Sequence, residues 1–310
     1  MLLADASAAG VGGGASSAAG ATAAGAATAG GAAGAAAAVG AGLGATILTG
    51  MLAVAAASRS DSAAPRSVKV IDGYVRGAQI YIDVDRDGVA DADEIVVGAL
   101  TNDLGEVTLP AGAPQGPVIA VGGINTDTNL PNRMAILAPE GSAVLTPLTT
   151  LAQYMVLDGS AASASEAVDK VVRALGLVLP DGIDLLTYDP VGADDVAVHR
   201  AGVTVATLLD LASDGNLVQS TQVVQALTRD IVASSSANTT LDLFALPAGV
   251  RSVLQDIGLG PAAANLIAST LSSLRNASDL SVVASLQKQA MSPPLPFAPV
   301  FDVAPIFTSN

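Results

Sequence analysis

The spacing of apolar residues changes once along this chain, near residue 140, and that change limits the fold more than any other feature. Over 67–140 the stretch "SVKVIDGYVRGAQIYIDV" alternates and is rich in β-branched residues, and "TNDLGEVTLP" and "GPVIAVGG" follow turn residues. A repeat of two is that of half-buried strands. Ile80 and Ile82 fall on one face of such a strand, with Gln79 and Tyr81 on the other. Over 141–290 the repeat becomes helical. In "LTPLTTLAQYMVLDG" Thr146 can cap, Pro147 takes the first helical position, Leu148, Leu151 and Met155 line one face, and Gly159 marks the stop. "SASEAVDKVVRALG" places Ser163 and Glu166 at capping-box spacing, with Val168, Val171, Val172 and Leu175 as its buried stripe. Further helices are expected at about 193–213, 217–234, 248–257, 261–275 and 280–290. The first of these is apolar on two faces and belongs at the centre of a bundle. Strands followed by helices define an α+β chain.

The two ends differ from this middle. Residues 1–66 are a Gly/Ala-rich tract and a short polar linker, with no charged residue between Asp5 and Arg59. Within it, residues 35–58 are apolar enough in length to span a bilayer, yet Gly and Ala are weakly hydrophobic and no aromatic belt flanks them. Contact with a membrane, packing in an assembly and a plain spacer all stay open for this tract. Residues 291–310, "MSPPLPFAPVFDVAPIFTSN", hold three of the four Phe residues of the chain. Phe297, Phe301 and Phe307 share odd parity, so an extended backbone points them the same way. Five prolines forbid a helix there, leaving an extended arm that docks on a partner or a linker to a further region.

One loop concentrates the charge. In "DVDRDGVADADE", residues 83–94, six acids occupy twelve positions. Set against the twelve-residue calcium loop, position 1 is Asp83, position 3 Asp85, position 5 Asp87, position 6 Gly88, position 7 Val89, position 9 Asp91 and position 12 Glu94. Calcium takes six to eight oxygens, so carboxylates from alternate residues, one backbone carbonyl and a two-oxygen Glu suit it. Asp93 falls outside the pattern. Without a cation, carboxylates at this density repel one another. The flanks "GAQIYI" and "IVVGALTND" are strand-like rather than amphipathic helices. The loop is therefore expected as a stabilising Ca2+ site in a β domain rather than a helix–loop–helix switch.

Other chemistry finds little to build on. The chain has no Cys and a single His, so thiolate sites and His-based nucleophilic triads lack their parts. His199 shares a helical face with Val196 and Val203, which suits a core position. Asp194 and Asp195 open a helix and suit its dipole. A net charge of −15 opposes nucleic-acid binding, which rests on Lys and Arg. A crosslink from Lys69 to an Asn is conceivable in such a β domain, but no catalytic centre is expected.

The segments "GYVRGAQIYIDVDRDGVADADE", "TNDLGEVTLP", "AVLTPLTTL" and "ALGLVLPDGIDLLTYDP" together resemble calcium-binding, adhesin-like surface proteins of Gram-negative bacteria. The resemblance covers about residues 68–215, without the nonapeptide Gly-Gly-x-Gly-x-Asp repeats or tandem immunoglobulin-like repeats of that group. It implies a small antiparallel β-sandwich of the Cna-B or carboxypeptidase-regulatory kind over 67–140, then an all-α bundle over 141–290. It also implies export, often by type I secretion, and a role in biofilm or cell-surface layers. The expectation is a non-enzymatic, extracellular surface protein, either a building block of a filament, layer or matrix or an adhesin, standing alone or as a fragment. It would self-associate or meet other surface proteins through residues 1–58 and 291–310. A tethered glycan- or peptide-binding module is the alternative.

Overall fold

The computed structural model describes residues 64–292; the Gly/Ala tract up to residue 63 and the arm from residue 293 lie outside the described residues. Ten strands come first: β1 (Arg66–Val70), β2 (Val75–Arg76), β3 (Gln79–Ile82), β4 (Ile95–Leu100), β5 (Glu106–Leu109), β6 (Val118–Val121), β7 (Ile124–Asn125), β8 (Leu130–Pro131), β9 (Ala135–Ala138) and β10 (Val144–Leu145). Seven α-helices follow: α1 (Pro147–Leu157), α2 (Ala164–Leu175), α3 (Val196–Ser213), α4 (Leu217–Ser236), α5 (Ala248–Asp256), α6 (Pro261–Leu274) and α7 (Leu280–Met291). The class is α+β.

The strands form three small sheets, ordered β10-β1-β5, β2-β7-β8 and β4-β3-β6-β9. All pairs are antiparallel except β1 with β10, which run parallel with Val70 opposite Leu145. That departs from the expected all-antiparallel arrangement. A parallel neighbour needs a long crossover, and the eight intervening strands supply it. Alternation decides which residues enter the core: Val68 and Val70 of β1, and Ile80 and Ile82 of β3, are buried, while Gln79 and Tyr81 face outward. The buried set continues without a break into Leu148, Leu151, Val171, Val205, Leu209, Leu227 and Leu254, so sheets and helices share one core.

Register places a transverse row on the outer face of the four-stranded sheet: Ile95 opposite Tyr81, Tyr81 opposite Ile119, Ile119 opposite Leu137. The row is not uniformly covered. Helix α1 packs on β9, where the Thr149 and Thr150 hydroxyls bond the Leu137 backbone, so Leu137 and Ile119 are fully buried. Towards β4 the same face is open. Among the helices, α3 buries most of its length against α1, α4, α6 and α7, the central place that its two apolar faces predict. It is the one described helix long and apolar enough to cross a membrane, and four-fifths of it is buried.

The starts of α1 and α2 follow capping chemistry with one difference. Thr146 accepts from the Leu148 and Thr149 amides, and Thr149 Oγ1 accepts from the Thr146 amide, a reciprocal box. At α2, Ser163 accepts from the Glu166 amide at 3.2 Å, but Glu166 reaches back to Ala162 and pairs with Lys170. The Lys170 ion pair draws that carboxylate away from the Ser163 amide, so the expected box there is one-sided.

Candidate metal site

The acidic loop joins β3 to β4, and its first residue is already part of the sheet: the Asp83 amide donates to Pro117 O at 3.0 Å. That anchor leaves Asp83 with 0 % exposure while the rest of the loop lies at the surface. The carboxylates of Asp83, Asp85 and Asp87 converge, with one oxygen of each within 4.8 Å of the others, a cluster that could hold a metal ion. Alternate residues meet because the chain coils tightly. Asp83 accepts from the Asp87 amide at 3.1 Å and from the Gly88 amide at 3.0 Å, and Asp87 accepts from the Val89 amide at 2.7 Å. Gly88 has φ +80°, and a Cβ there would lie 2.6 Å from Leu157 Cδ1 at the end of α1. The left-handed turn favours glycine, and a Cβ would also push the Leu157 side chain aside.

Glu94, at position twelve, folds back over the start of the loop. Its carboxylate accepts from the Val84 amide at 2.6 Å, from Asp85 at 3.5 Å and from Asp91 at 3.4 Å. Glu94 and Asp91 are thus on the same loop but outside the converging trio, and Asp93 is exposed. Val89, expected to offer its carbonyl, contributes its amide to Asp87. Burial raises the Asp83 carboxyl above the ordinary carboxylate range, with Glu94 adding to it and backbone donors opposing it. Asp91 is raised by desolvation and then by the charges of Asp87, Glu94, Asp85 and Asp93. The one basic residue of the loop, Arg86 at φ +64°, pairs with Glu140 at 2.6 Å rather than with the aspartates.

A second polar cluster was not legible in the sequence. Asp72 is buried and receives both of its hydrogen bonds from Gln287 Nε2 of α7, each at 3.0 Å. Asn125 Nδ2 donates to the Asp72 carbonyl and, at 3.3 Å, to Gln287 Oε1. Desolvation pushes the Asp72 carboxyl up to about 8, with the charges of Asp210 and Asp127 adding to it against the Gln287 bonds. Beside it Arg133 holds Asp210 through two bonds of 2.7 and 2.6 Å and reaches Asp214 at 2.8 Å, tying the strands to α3. Asp72 is followed by a glycine in a turn, an ordinary pattern, and its partner lies 215 residues away.

His199 sits at this junction as a core residue, its imidazole pushed down to about 4 by desolvation. It lines a cavity of about 10 Å³ with Asp72, Thr146 and Tyr188, no larger than one water. Asp195 caps α3 through the Ala197 and Val198 amides and accepts from the Tyr188 hydroxyl. Lys69 pairs with Asp189 at 2.9 Å and Glu106 at 3.2 Å, so its neighbours are acids rather than an Asn. Comparison with models of known protein families, with curated proteins and with solved structures finds no match for this chain.

Proposed function

We propose that this chain is a calcium-stabilised, non-enzymatic protein of the bacterial exterior, a building block of a surface filament, layer or matrix. The observation that carries the reading is the trio Asp83, Asp85 and Asp87, drawn together by their own backbone while Arg86 pairs with Glu140 instead. In the filled loop Asp83, Asp85, Asp87, the Val89 carbonyl, Asp91 and Glu94 supply the oxygens, which requires Glu94 to exchange its backbone bonds for the ion. Calcium is favoured over magnesium because the ligands are many, flexible and all oxygen. We read the sheets as a small β-sandwich that the ion pins to the C-terminal end of α1.

Affinity sets the compartment. We place the affinity among extracellular sites of about 0.1–1 mM, filled outside a cell and empty in the cytosol. Residues 1–58 and 291–310 would supply the contacts of the assembly, the first nearly uncharged and the second carrying three Phe residues. The test is size-exclusion with light scattering of the full chain in millimolar calcium and in excess chelator. Calcium-dependent growth to large species is expected; a monomer in both buffers would contradict the assembly reading and favour a tethered binding module.

A further inference from the structure

Helix α7 is fastened differently from the six before it. The apolar residues where it meets α3 and α6, Val203, Leu274, Ala277 and Val283, form a small core of their own, apart from the large core that the sheets and the other helices share. Within α7 only Val283 and Gln287 are buried. Among the described residues, its side-chain hydrogen bonds to the rest of the fold all run through Gln287, to Asp72 and Asn125. Asp279 caps the helix from its own end, accepting from the Val282 amide at 2.9 Å, while Arg200 holds the Ala277 carbonyl at 3.1 Å. The exposed Ser278 and Asp279 between these two points mark a pivot.

The anchor ends on a carboxyl with no cation paired to it. Gln287 is the one side chain that donates to the Asp72 carboxyl. The charges that bear on it are both acidic: Asp127, after β7, and Asp210 of α3, which Arg133 already holds. His199 and Tyr188 line the cavity beside it, His199 neutral through burial and Tyr188 donating to Asp195, and Lys288, next to Gln287, is exposed. A carboxylate formed there needs water. Val203, which α7 covers, lines the same cavity as Asp72, so lifting α7 is the route to water that leaves the large core intact.

We infer that α7 is a strap that lifts from α3 and α6 as a unit while the large core stays closed, and that loss of the Asp72 proton releases it. In the lifted form Asp72 meets water and titrates at about 3.9; under the strap it is held up to about 8. The closed form therefore loses favour as pH rises from about 4, by up to about tenfold per unit, and the loss levels off above about 8. Lifting also uncovers Val282, Val283 and Leu286, close in sequence to the stretch with three Phe residues. The strap owes nothing to the acidic loop, so it stands or falls apart from the calcium reading.

Amide hydrogen exchange of the full chain in excess chelator tests this, read by mass spectrometry as protection over the intrinsic rate at pH 5 to 7.5. Peptides within 280–291 should be at least about a hundredfold less protected than those of α1 and α4, and should lose protection by up to about tenfold per pH unit. Equal protection in the three helices would mean that α7 opens only with the whole fold, which overturns the inference. Asp72→Asn should leave the α7 peptides without a pH slope, which plain fraying of a terminal helix would not require. A slope that survives that substitution, or none in the wild type, overturns the role of Asp72. Ile231→Val, in the large core, separates the two openings: protection of α1 and α4 should fall about fivefold and that of α7 should stay within about twofold. A common loss in all three helices would overturn the independence of the strap.

Discussion

The loop at 83–94 and the junction at Asp72 both gather carboxylates, and they differ in what compensates the charge. In the loop the oxygens face backbone amides and one another at the surface. At the junction the buried Asp72 carboxyl is met by the side-chain amide of a distant helix. On the proposed reading, the first arrangement takes a cation from solution. The second is complete within the chain. One residue type thus serves as an adjustable fastening at one place and an internal one at the other, and substitutions should separate the two by their response to calcium.

Gln287→Ala should have the largest effect. It leaves Asp72 buried without its donor, which costs about 2–4 kcal/mol. Thermal melts should fall equally in calcium and in chelator; dependence on calcium would join the two regions that the comparison separates. Gly88→Ala comes next, at about 1–2 kcal/mol, since it strains a left-handed turn and crowds Leu157. The loss should persist in chelator, with weaker calcium binding in addition. If binding alone changed, the loop would not be coupled to α1.

The junction should also respond to pH in a stated direction. Asp72 binds its proton more tightly in the fold, about 8, than in the unfolded chain, about 3.9. Its contribution to stability is therefore complete below about pH 4 and is lost as pH rises through about 8. Asp72→Asn should remove that slope and raise the melting temperature near pH 8 by about 5 °C. A slope that survives the substitution would place its origin elsewhere. The loop runs the other way with respect to its ligand. Protons compete for the raised Asp83, so calcium affinity should fall as pH drops through the upper carboxylate range. Titration calorimetry across pH 4–7 would detect it.

What was legible in the sequence is what depends on neighbours in the chain. The strand at Gln79–Ile82, the seven helices and the loop of Asp83, Asp85 and Asp87 follow from spacing, caps and one glycine. The parallel pairing of Val70 with Leu145 and the bond from Gln287 to Asp72 were not legible, because nothing near any of these residues specifies its partner. The capping at α2 was legible only in part. Ser163 plays its role, but the Lys170 four residues on competes for Glu166.

The most direct measurement compares thermal unfolding of the wild type and Asp87→Ala in millimolar calcium and in excess chelator. The account expects calcium to stabilise the wild type by roughly 0.4–1.4 kcal/mol and the variant hardly at all, with the two alike in chelator. An equal loss in both buffers, or a wild type indifferent to calcium, would contradict it.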